Sequence, residues 1–178
     1  KKHFTLVLKG NIRLAMAKFP YGVGGAHLDI LARGALWDAG LDFNHGTGHG
    51  VGYLLNVHEG PQNINWNSGV RPGGMIPLEE GVLISDEPGL YLEGKYGIRC
   101  ENLLMCKKAE KNDYAQFMNF EVVTLVPFER EAIIPELLGE TELKWLNEYH
   151  KHVYEVVEPL LENKEEKEWL KEATAEIK

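Results

Sequence analysis

The chain has 178 residues, 44% of them hydrophobic, enough for one domain with a buried core, and 27 acidic against 19 basic side chains leave a formal net charge of -8. That charge repels phosphate backbones and anionic lipid, so nucleic acid and membrane surfaces are excluded as expected partners. No apolar run approaches the roughly 20 residues a membrane helix needs, and no signal-peptide pattern opens the sequence.

In chain order, Phe4, Val7, Leu8, Ile12 and Ala15 recur at helical spacing and predict an amphipathic helix over 3–19, ended by Pro20. Leu28, Leu31, Ala32 and Ala35 predict a second helix that Gly40 closes in a left-handed conformation. Both helices read as scaffold.

Residues 44–60 follow, with His45, His49 and His58 threaded among glycines at 46, 48, 50, 52 and 60. Glycine lets a backbone approach a ligand closely, and imidazole is the commonest metal ligand, so the stretch reads as an active-site wall entering an apolar strand at Tyr53, Leu54 and Leu55. A glycine-rich turn carrying histidines by chance is the plainer alternative. A helical zinc site with His45 and His49 at i and i+4 fails, because Gly46 stands where that motif needs glutamate and alternate glycines each cost a helix about 1 kcal/mol.

A polar loop over 62–74 precedes a short apolar strand, 82–87, which ends in Asp86 and Glu87 before Pro88-Gly89. Residues 91–96 read as a hairpin tip, and 97–106 as one strand with Arg99 and Glu101 on one face and Ile98, Cys100 and Asn102 on the other. Even spacing puts Cys100 and Cys106 on one face, too far apart along an extended chain for a disulfide; reduced thiols suit a cytoplasmic protein. A charged turn over 107–114, a strand over 120–126 closed by Pro127, a helix from Thr141 and a last helix over 165–173 complete the chain. The closing helices, with Trp145 and Trp169, serve as core cover or as a partner contact.

Glu87 and Glu101 each place a carboxylate on an otherwise apolar strand, where a lone charge is costly unless a cation compensates it. With His49 they make a set suited to manganese, zinc, cobalt or iron. An ion pair between Glu101 and Arg99, and a turn role for Glu87 beside Pro88, are the structural alternatives.

The order His-Gly-Thr-Gly-His-Gly-Val-Gly, Asn-Val-His-Glu-Gly-Pro, Ser-Asp-Glu-Pro-Gly and Gly-Ile-Arg-Cys-Glu-Asn resembles the catalytic domain of aminopeptidase P, the Xaa-Pro aminopeptidases. The likeness extends over essentially the whole chain, including 36–42 and 145–150. It implies an α+β pita-bread fold, as in creatinase, prolidase and methionine aminopeptidase, with a curved, mostly antiparallel sheet covered by helices. One domain over 1–178 is expected, with helices to 40, a sheet carrying the site over 41–127 and closing helices over 140–178.

The resemblance further implies His49, Glu87 and Glu101 as metal ligands, Glu101 bridging two divalent ions, most commonly Mn2+ with Zn2+ or Co2+ as alternatives. His58, Glu87 and Glu101 would be the catalytic groups, His45 and His58 would line the substrate site, and Arg99 would steady Glu101. The implied reaction is attack of a metal-held hydroxide on the peptide bond before proline, a carboxylate carrying the proton. Peptides with proline in second position are the implied substrates.

The two aspartate ligands of the family's five have no match here, and the chain opens at Lys1-Lys2, matching the helix that follows them. The expectation is a C-terminal piece of a longer enzyme, inactive and weak in metal binding alone, and prone to form a homo-oligomer, a dimer, through its uncovered faces. A non-catalytic module of the same fold that binds peptides or proteins is the competing reading. A metal-free amidinohydrolase like creatinase fits less well, because ligand acids are present.

Overall fold

A computed structural model describes residues 1–54, 56–67 and 72–178. Helix α1 (Lys2–Ala15) turns Val7, Leu8, Ile12 and Leu14 inward with none of their surface exposed. It stops at Ala15 rather than at Pro20. Phe19–Pro20 instead forms strand β1, opposite Met118 and Phe117, and a proline that cannot donate to a ladder is tolerated there because β1 lies at the sheet edge. Helix α2 (Gly25–Trp37) packs across α1. Gly40 closes it at φ +69°, as the sequence predicts.

The histidine stretch enters no apolar strand at Tyr53 and Leu54. These side chains are 96% and 66% exposed, and Leu55 lies outside the described residues. The extended segment comes earlier, as β2 (Gly48–His49), which pairs with β3 (Asn63–Ile64) inside the predicted polar loop; 68–71 of that loop are likewise outside the description. Backbone pairing with neighbours outweighed side-chain hydrophobicity in choosing which residues extend.

Strand β4 (Leu83–Asp86) lies where expected. The single strand predicted over 97–106 is two: β5 (Gly89–Leu92) and β6 (Tyr96–Arg99) form a ribbon, and the chain corners at Cys100 and Glu101 into β7 (Asn102–Lys111). The predicted charged turn therefore begins as strand, and β8 is Gln116–Val122, ahead of the predicted 120–126. The main sheet runs β1-β8-β7-β4, all antiparallel. The corner also separates the cysteines: both are buried free thiols, but Cys100 packs in one apolar cluster and Cys106 in another.

Helix α3 (Glu140–Val157) lays Leu146, Tyr149 and Val153 onto the first cluster with Val7, Leu8 and Ile12. The second cluster joins Leu28 and Ala32 of α2 to Ile84, Leu104 and Met118 of the sheet. Trp145 stacks on Tyr149 at 5.4 Å and 6°, which makes it core cover. Helix α4 (Lys164–Ala173) buries Leu170 and leaves Trp169 61% exposed. No helix among the described residues is long and apolar enough to cross a membrane.

Candidate metal and substrate site

The segment around β2 runs beside the end of β4. Gly50 bridges Ile84, the Glu87 N–H donates to the Thr47 carbonyl at 2.8 Å, and the His49 N–H donates to Ser85 Oγ at 2.9 Å. A Cβ on Gly48 would overlap the Ser85 carbonyl oxygen, so glycine is required for this approach. The glycine density of the stretch is in this respect a packing requirement, and it brings His49 to Glu87.

The imidazole of His49 is oriented from behind. Its Nδ1 lies 2.9 Å from the Gly50 carbonyl, which places the N–H there and turns the Nε2 lone pair outward, 3.1 Å from Glu87 Oε1. Ser85 Oγ donates to that same carboxylate oxygen at 2.9 Å. Glu87 is only 9% exposed. A proton on Nε2 or a cation between the two groups would satisfy this contact, and an imidazole-carboxylate pair is a donor set that suits a divalent cation.

Glu101 stands at the exposed corner between β6 and β7. Partial burial, then the charge of Glu87, raises its carboxyl above the usual range, against the opposing pull of Arg99, His49 and His45. It is thus within electrostatic reach of the pair, yet among the described residues no three His, Cys, Asp or Glu side chains converge closely enough to hold a metal. The donor set fits one cation through His49 and Glu87. Of the three ligands the sequence nominates, the structure joins two and leaves the third nearby.

His58 stacks obliquely on His49, ring centres 4.2 Å apart, and both line a cavity of about 320 Å³ with Gln62 and Asn63. His45 lies on the other flank. Its Nδ1 is 2.7 Å from the Gly46 carbonyl, so Nε2 accepts a hydrogen bond from the Tyr91 hydroxyl at 2.9 Å. Arg99 Nε in turn donates to the same hydroxyl at 2.9 Å, and Arg99 Nη1 is 3.8 Å from Glu87 Oε2. Arg99 therefore contacts Glu87 and Tyr91, and no Arg99–Glu101 ion pair within 4.0 Å occurs among the described residues.

Sequence reasoning missed Tyr91, which it took for part of a hairpin tip. Its place in β5, opposite Gly97, itself two residues before Arg99, is decided by ribbon pairing. It also missed the support beneath the histidine stretch. Arg33, 1% exposed, donates to Asp29 Oδ2 at 2.5 Å, Asp42 Oδ1 at 2.7 Å, the Phe43 carbonyl at 2.6 Å and the His45 carbonyl at 2.7 Å. Asp29 Oδ1 accepts from Thr47 Oγ1 at 2.6 Å. An Asp and an Arg at i and i+4 on an apolar helix were the available signal.

Comparison with known proteins follows the same lines. Residues 1–108 match the model of metallopeptidase family M24, and 116–177 match the C-terminal region of that peptidase. Aminopeptidase P2 of Arabidopsis thaliana is 47% identical over 173 residues, 96% of this chain and 24% of its own length. A probable Xaa-Pro aminopeptidase P of Phaeosphaeria nodorum is 49% identical over 180 residues, 98% of this chain and 27% of its own. The chain thus spans about a quarter of the length of the curated relatives it matches.

Among solved structures, X-prolyl aminopeptidase of Caenorhabditis elegans, described as a cytosolic enzyme with a di-nuclear active site, superimposes with a TM-score of 0.88 at 47% identity, covering 98% of this chain and 28% of that one. X-Pro aminopeptidase of Thermotoga maritima does so at 0.56 and 36%, covering 71% and 31%.

Proposed function

This chain belongs to metallopeptidase family M24, and from that premise we propose that the protein it forms part of is a metal-dependent aminopeptidase releasing the first residue from peptides with proline in second position. Membership carries the fold with it: the helix-covered antiparallel sheet is the pita-bread arrangement shared with the solved X-prolyl aminopeptidase. The observation that carries the functional reading is the His49–Glu87 pair, 3.1 Å apart with the imidazole oriented from behind.

In this reading His49, Glu87 and Glu101 would hold divalent cations, Mn2+ being first choice and Zn2+ or Co2+ alternatives. When bound, such cations supply an electrophile for the peptide carbonyl and a nucleophilic water at neutral pH. The chain's own groups do the rest. His58, beside His49 on the cavity wall, donates to the scissile peptide oxygen; His45, held by Tyr91, shapes the side that receives proline. Arg99 keeps Tyr91 and Glu87 in place, and one of the two carboxylates carries the proton from the attacking water to the departing proline nitrogen. A cytoplasmic setting and a dimer accompany this reading; the exposed Trp169 is the candidate contact.

The second reading, a non-catalytic peptide- or protein-binding module, draws on one observation: Glu101 is not gathered with His49 and Glu87. One assay separates the two. The longer protein of which this chain is part, loaded with Mn2+, is offered a peptide with proline in second position and the same peptide with alanine there. Release of the first residue from the proline peptide alone, abolished in His49→Ala, supports the peptidase; binding of the proline peptide without release supports the module.

A further inference from the structure

Asn11 lies within α1 with none of its surface exposed. Its Nδ2 donates to the Asp86 carbonyl at 2.9 Å and to the Cys100 carbonyl at 3.4 Å. These two oxygens belong to the peptide groups that join Asp86 to Glu87 and Cys100 to Glu101. A single side-chain amide thus grips both peptide units from which the two carboxylates emerge.

The topology explains why that grip matters. The chain leaves the main sheet at the end of β4, runs out and back as the β5–β6 ribbon, and re-enters the sheet at Asn102, opposite Asp86. Asn11 sits at the neck of this excursion, beside the Cys100 N–H that donates to the Pro88 carbonyl at 3.2 Å. A two-stranded ribbon has little stability of its own, so its placement depends on what holds it where it joins the sheet. Any pivot there moves Glu101 relative to Glu87.

Asn11 Oδ1, both carboxyl oxygens of Asp86 and Asn102 Nδ2 are buried without a hydrogen-bond partner among the described residues, a costly concentration of polar atoms. What Asn11 contributes in exchange is its donor.

We infer that Asn11 is a positioning residue that sets the separation of Glu87 and Glu101 by clamping the neck of the β5–β6 ribbon. The inference rests on the reading of Glu87 and Glu101 as cation ligands. Asn11→Leu removes the donor and keeps the branched heavy-atom skeleton, with the smaller Asn11→Ser in reserve should the first variant not fold. Leu14→Ala, in the other apolar cluster, serves as the control for general loss of stability.

Two readouts are taken on the full chain: amide hydrogen exchange at Glu87 and Cys100, and titration with Co2+ followed by visible absorption. The expected result is exchange at both amides faster by at least about tenfold relative to α3, with Co2+ affinity reduced at least about tenfold, neither change occurring in Leu14→Ala. Unchanged exchange overturns the clamp, and faster exchange with unchanged Co2+ affinity overturns its role in placing the carboxylates. If the unsubstituted chain takes up no Co2+, the ligand reading gains no support from this chain and exchange alone decides whether the clamp exists.

Discussion

His49 Nε2 faces Glu87 Oε1 at 3.1 Å while the opposite ring nitrogen is held by the Gly50 carbonyl at 2.9 Å. The ring cannot turn away without losing that bond, so Nε2 stays directed at Glu87, as the proposed cation site requires. Glu87→Gln and His49→Ala are each expected to weaken Mn2+ binding by at least about tenfold, since even groups behind metal ligands are worth that much. Calorimetric titration of the purified chain measures it, and equal affinity in either variant would place the cation elsewhere.

The fully buried Asp29–Arg33 pair gives a stability prediction. Arg33→Met strands the Asp29 carboxylate in the core, and such a loss costs about 3–5 kcal/mol. Adding Asp29→Leu should recover part of this, because no buried charge then remains unpaired; Asp42, the other carboxylate that Arg33 meets, is 43% exposed and keeps its water. Urea unfolding of the two single variants and the double variant tests both statements, and purely additive losses would contradict the pairing.

Tyr91→Phe removes the hydroxyl shared by His45 Nε2 and Arg99 Nε. Stability should fall by no more than about 1 kcal/mol, the usual net worth of such a bond. The His45 tautomer should lose its bias toward Nδ1–H, visible in the imidazole nitrogen resonances. An unchanged spectrum would mean that Gly46 alone sets the tautomer.

His150 supplies a pH dependence. It has no exposed surface, its Nε2 accepts from the Phe128 N–H at 3.0 Å, and burial followed by the nearby Arg130 charge lowers its pKa to about 4. The unfolded chain, with an ordinary value of about 6.5, binds a proton that the folded chain refuses; stability present above about pH 6.5 is lost as pH falls toward 4, by on the order of 3 kcal/mol. Urea midpoints measured between pH 7 and 4 should show this slope, and His150→Gln should flatten it.

Cys100 and Cys106 should be inert in the folded protein. Burial pushes their thiols up to about 12 and about 11, leaving almost no thiolate at neutral pH. Alkylation should therefore track global unfolding, with two labels taken up only in denaturant. Rapid labelling under native conditions would show that one core cluster opens.

Sequence by itself determined the chemistry and most of the scaffold: which side chains can bind a cation, that two amphipathic helices precede them, and that a helix from near Thr141 closes the core. These follow from residue type and from a hydrophobic period that survives in one dimension. Tertiary structure decided what depends on partners distant in the chain. Whether Tyr53 or His49 belongs to a strand depends on who lies alongside; whether 97–106 is one strand or two depends on where β5 and β4 each find a mate. The roles of Asn11, Arg33 and Tyr91 were hidden for the same reason, because each acts through hydrogen bonds to backbone or side-chain groups that only folding brings within 3.5 Å.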